Sequence, residues 1–63
     1  MKRWAFVRFT DYSDGTAIVI NLDKIRAYYE RSDGGVNIDV PGGFYRVKES
    51  IEEVNDLIQR VGA

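Results

Sequence analysis

Apolar positions along this chain recur first with a period of two and then with a period near 3.6. From Arg3 to Thr10, Trp4, Phe6 and Arg8 alternate with Ala5, Val7 and Phe9, the spacing that sets successive side chains on opposite faces of a strand. Ser13, Asp14 and Gly15 interrupt the pattern, and Asp-Gly marks a hairpin because these residues tolerate the backbone a tight turn requires. Thr16 to Leu22 resumes as a nearly continuous apolar run through Ala17, Ile18, Val19 and Ile20. Such a run predicts a central strand covered on both faces. Asn21 to Lys24 then turns the chain, with Asn21 placed to cap a single helical turn.

Ile25 to Glu30 predicts a third strand, with Ile25, Ala27 and Tyr29 on an apolar face and Arg26, Tyr28 and Glu30 on an amphipathic one. Ser32-Asp33-Gly34-Gly35 is the strongest turn signal, and Val36, Ile38 and Val40 alternate after it with Asn37 and Asp39, the pattern of a half-buried strand. Pro41-Gly42-Gly43 breaks that strand, and Phe44 to Lys48 forms the last one. Ser50 and Glu53 are spaced as a capping box, and Ile51, Val54, Leu57, Ile58 and Val61 make a helical stripe that ends at Gly62. Truncating Leu57 to Ala in that stripe should cost about 2 to 5 kcal/mol. The expected architecture is α+β: a twisted antiparallel sheet of four to five strands in meander order, with one C-terminal helix packed on it, forming a single domain over residues 1–63.

Composition narrows the function. A chain of 63 residues buries only about 60% of the surface its unfolded form exposes, leaving little surplus stability for a strained catalytic cleft. There is no His and no Cys, which excludes imidazole acid-base chemistry, thiolate nucleophiles, zinc-finger sites and disulfide frameworks. With 44% hydrophobic and 30% charged residues the chain is a folding sequence rather than a disordered one. Its longest apolar runs are four residues, Trp4 to Val7 and Ala17 to Ile20, far below the roughly 20 of a membrane helix. No membrane insertion or export signal is expected, and the absence of cysteine in so small a chain points to the cytoplasm or to stability gained by oligomerisation.

The net charge of −1 conceals a division: residues 1–48 hold eight Lys and Arg against six acids, whereas residues 49–63 hold four acids against Arg60 alone. That split suits subunit contacts, but neither half is basic enough to read as a nucleic-acid footprint. The pairs Gly34-Gly35 and Gly42-Gly43 join strand to strand, whereas a phosphate loop needs its glycines between a strand and a helix N-terminus. Glu52 and Glu53 diverge on the helix, and Asp11 and Asp14 lack the regular ligand spacing of a calcium loop. The expectation is therefore a non-enzymatic chain without catalytic residues, cofactor or metal.

Eight aromatic residues are more than so small a core can surround. Trp4, Arg8, Tyr28, Tyr45 and Arg46 are the candidate contact residues, because Trp, Tyr and Arg dominate protein interfaces. If Tyr28, Tyr45, Trp4, Arg8, Arg26 and Arg46 share a face, it serves a protein partner or a second copy, giving a homodimer or higher oligomer. The alternative is a nucleic-acid or nucleotide-binding sheet in which the rings stack on bases. The unpaired edge of the first strand is a further docking site.

Arg8-Phe9-Thr10, Asp14-Gly15, Ile18-Val19-Ile20-Asn21, Ile25, Val36-Asn37-Ile38, Gly42-Gly43-Phe44-Tyr45-Arg46-Val47-Lys48-Glu49-Ser50, Glu53-Val54 and Ile58 form a pattern that resembles the FlbD family. These are very small proteins encoded among flagellar genes. The resemblance runs over residues 7–60 and implies a cytoplasmic accessory role in flagellar assembly or motor power through contact with other proteins. This chain departs from the family in its extra residues Met1 to Phe6 and in Tyr12-Ser13, which lengthens the first turn.

Overall fold

Side-chain alternation and turn chemistry produce two antiparallel hairpin systems in the computed structural model, which describes residues 5–62. The elements are β1 (Phe6–Thr10), β2 (Ala17–Asn21), a 3-10 turn (Leu22–Lys24), β3 (Ala27–Glu30), β4 (Val36–Val40), β5 (Gly43–Val47) and α1 (Ile51–Gly62). The fold is α+β, with five strands and one C-terminal helix. The strands form two sheets rather than one continuous meander: β1 pairs with β2, and β3-β4-β5 pair in order.

The turns explain the connections. In the first hairpin Asp11 Oδ1 accepts from the Ser13 backbone N–H at 2.8 Å, and Asp14 Oδ1 accepts from that of Thr16 at 3.0 Å, local bonds that favour a turn over strand continuation. Asn21 Oδ1 accepts from the Asp23 N–H at 2.9 Å, which caps the helical turn as its position predicts. At the start of α1 the Ser50 N–H donates to Glu53 Oε1 at 2.8 Å and the Glu53 N–H donates to Ser50 Oγ at 3.1 Å, completing the capping box.

The two sheets meet at one corner. Asp11 bridges to Val47, the Tyr12 N–H donates to the Arg46 carbonyl at 3.0 Å, and the Lys48 N–H donates to the Thr10 carbonyl at 2.8 Å. The overlap stays short for a simple reason: beyond Thr10 the β1 chain enters its turn, and beyond Glu49 the β5 chain enters the helix. Glu49 secures the corner by accepting from Thr10 N–H at 3.0 Å and from Thr10 Oγ1 at 2.9 Å.

Between the sheets and α1 lies a core of Val7, Phe9, Ile20, Val36, Ile38, Val47 and Val54, all buried. Val54, with none of its surface exposed, is the innermost residue of α1, whereas Leu57 is only half-buried. Val54 is therefore the position of α1 most fully surrounded by the core.

Two expectations about faces are corrected. β2 is not a central strand covered on both sides; among the described residues it pairs with β1 alone, and Val19 is 61% exposed. Its all-apolar run arises because one face is core and the other an apolar surface. In β3 it is Tyr28, cross-strand from buried Ile38, that packs against the core, while Ala27 and Tyr29 lie on the exposed face.

Candidate interaction surface

Registers decide which candidate side chains can meet. Residues directly opposite on paired antiparallel strands share a face, and neighbours along a strand do not. Tyr45 lies opposite Ile38, which lies opposite Tyr28, whereas Arg46 lies opposite Asn37, which lies opposite Tyr29. Tyr45 and Arg46 therefore project to opposite faces of the three-stranded sheet, and the single aromatic and Arg face expected from the sequence does not form. Trp4 lies outside the described residues.

Tyr28 and Arg46 are engaged within the chain. The Tyr28 hydroxyl donates to Asn55 Oδ1 at 2.7 Å, tying β3 to α1. Arg46 Nη2 donates to the Gly34 carbonyl at 2.7 Å and to Asp33 Oδ1 at 3.1 Å, and its Cζ stands 3.8 Å from the centre of the Tyr12 ring. Arg31 Nε donates to the same Asp33 oxygen at 2.9 Å. The Arg31 hydrogen bond, with the positive charges of Arg31 and Arg46 beside it, holds the Asp33 carboxyl below its ordinary value. Asn37, buried at this site, donates to the Tyr29 hydroxyl at 3.1 Å and accepts from Arg31 Nη1 at 3.4 Å. Toward the β3-β4 turn this outer face is a set of mutually satisfied polar groups, while Phe44, opposite Asp39 on the same face, is 58% exposed.

The outer face of β1-β2 also exposes apolar side chains, here on both of its strands. Arg8 lies directly opposite Val19, and Phe6, two residues from Arg8, lies opposite Asn21. Phe6 is 52% exposed beside the 61% exposure of Val19. An exposed Phe and Val flanked by Arg make the kind of patch that marks a contact surface more than a solvated one. Round the β2 edge, Val19, Ile20, Asn21, Lys24, Val40 and Tyr45 line a shallow cleft of about 230 Å³. Arg8 and Tyr45, from the candidates named in the sequence, thus border the β2 strand from its two sides.

Phe6 and Val19 were not distinguishable as surface residues by hydrophobicity. A usable signal was the hairpin itself: with the turn centred on Ser13-Asp14, Val19 falls opposite charged Arg8 and so shares its solvent side. Among the described residues no helix is long and apolar enough to cross a membrane. No family model matches the chain, and no curated protein or solved structure matches it.

Proposed function

We propose that this chain is a small, non-enzymatic protein-interaction module of the cytoplasm that self-associates through the exposed side of its β1-β2 hairpin. The observation that carries the reading is the adjacency of exposed Phe6 and Val19 around Arg8 on a two-stranded sheet. Covering such apolar side chains is favourable by about 25 cal/mol per Å² of apolar surface removed from water. The resemblance to the FlbD family supports a flagellar assembly protein as the class of heterologous partner.

A nucleic-acid role draws less support, because Arg31 and Arg46 already share Asp33 and so have less charge to offer a phosphate. Light scattering across a dilution series tests the proposal, with the salt concentration varied. A mass above 7.2 kDa that persists at high salt is expected of an apolar contact. A monomer at every concentration, or salt-sensitive binding of oligonucleotides in place of self-association, overturns it.

A further inference from the structure

We infer that β2 pairs edge to edge with β2 of a second copy, antiparallel about a two-fold axis at Val19, so that two hairpins become one four-stranded sheet. The inference rests on the self-association reading and narrows its contact to the β2 edge, which covers Val19 and leaves Phe6, on β1, outside the seam. β2 has β1 on one side and no paired strand on the other among the described residues.

The direction of the free backbone groups follows from the hairpin. The Asp11 N–H donates to the Thr16 carbonyl at 2.8 Å, and the Leu22 N–H donates to the Ala5 carbonyl at 2.9 Å. Hydrogen-bonded pairs in an antiparallel ladder recur at every second residue. With Phe9 opposite Ile18 and Val7 opposite Ile20, the groups of Thr16, Ile18, Ile20 and Leu22 are spent on β1. Those of Ala17, Val19 and Asn21 point to the open edge, and this set is symmetric about Val19. An antiparallel second copy centred there pairs Val19 with Val19 and Ala17 with Asn21, each pair exchanging N–H and C=O bonds in both directions.

Charge singles out this edge and this occupant. Open edges are normally blunted by charged residues, proline or bulges. Of the other edge strands, β3 contains Glu30 and is flanked by Arg26 and Arg31, β1 contains Arg8 and β5 contains Arg46, and β1 and β5 also meet each other at Asp11 and Val47. Between Asp14 and Asp23, β2 and its flanks carry no charge and no proline. Self-pairing opposes no like charges within the strand, keeps the two Arg8 side chains apart on the outer strands, and brings the Asp14 end of one copy beside the Lys24 end of the other. Val19 closes against its own copy, which accounts for an exposed Val in mid-strand.

Three variants test the contact. Val19→Lys places like charges across the axis. Val19→Pro removes an N–H that β1 does not use, a substitution an edge strand accommodates. Val19→Cys introduces the first thiol into a cysteine-free chain, and hydrogen-bonded antiparallel partners, about 5.5 Å apart at Cα, are within disulfide reach. The parent should scatter at twice 7.2 kDa, and Val19→Lys and Val19→Pro should be monomers with the parent's far-ultraviolet circular dichroism. Under glutathione disulfide, Val19→Cys should give a covalent dimer and Tyr29→Cys on β3 should not. Folded Val19→Lys and Val19→Pro that keep the doubled mass overturn this register while leaving self-association standing. Should those two fail to fold, an associated Val19→Cys that forms no covalent dimer overturns it equally. A parent that is monomeric throughout overturns both readings.

Discussion

The Arg46 guanidinium carbon stands 3.8 Å from the centre of the Tyr12 ring, and through this pair the turn of one hairpin is fastened to the other sheet. Tyr12 also lies against Gly34 and Gly35, so its ring is held between the β3-β4 turn and Arg46. A cation over a ring contributes about 0.5 to 1 kcal/mol at exposed sites, and hydrogen bonds to a charged group about 1.5 to 3 kcal/mol. Arg46→Ala should therefore lower stability by about 2 to 4 kcal/mol, read from urea unfolding. Tyr12→Ala should cost less, and the double variant should lose less than the two single losses added together. Additivity would mean that the two side chains act independently.

Gly35 carries the strictest steric requirement near that contact. Its φ is +79°, and a Cβ there would lie 2.8 Å from Tyr12 Cδ1 and 2.8 Å from the Val47 carbonyl oxygen. Gly42 has a similar φ of +90° but open space around it. Gly42→Ala should cost about 1 to 2 kcal/mol for the left-handed backbone alone, and Gly35→Ala should cost more because backbone must shift as well. Equal urea midpoints for the two variants would contradict the packing of Tyr12 on the β3-β4 turn.

Thr10 and Glu49 fasten the same corner from the other side. The carboxylate accepts from both the Thr10 N–H and the Thr10 hydroxyl, where the β1-β2 ladder offers that N–H no partner. Glu49→Ala should destabilise by about 1 to 3 kcal/mol, and Glu49→Gln should recover part of the loss, since an amide keeps one acceptor oxygen. Amide exchange at Thr10 should rise in Glu49→Ala. Unchanged protection there would show that water replaces the carboxylate without cost.

Legibility in the sequence followed contrast. β4 was readable to the residue because Val36, Ile38 and Val40 alternate with polar neighbours, and Ser50 and Glu53 announced α1 through a specific pair of bonds. The run Ala17 to Ile20 offered no contrast, so the same residues fitted a doubly covered strand or, as the structure has it, an edge strand with an apolar outer face. Tyr12 looked like a lengthening of the first turn, because its partners Gly34, Gly35 and Arg46 are more than twenty residues distant. The opposed directions of Tyr45 and Arg46 follow from the period of two once both lie on one strand. Residue type had grouped them; strand geometry separates them.

Acid should loosen the corner through Asp33. Its carboxylate receives Arg31 Nε at 2.9 Å and Arg46 Nη2 at 3.1 Å, and in the folded chain its pKa is lowered from 3.8, first by the Arg31 hydrogen bond. A carboxyl whose folded pKa lies below its unfolded one binds fewer protons when folded. Its stabilisation is fully present above the unfolded value and is lost as pH falls through the folded one. Asp33→Asn should thus be less stable than the parent by a gap that is constant above about pH 5 and closes on further acidification. Asp11, lowered chiefly by its bond from the Ser13 hydroxyl, retains its own acid dependence in both proteins and cancels from the difference. Urea midpoints of the pair measured from neutral pH down to about pH 2 decide the matter, and a gap that does not narrow would show that Asp33 holds Arg31 and Arg46 no more tightly than water does.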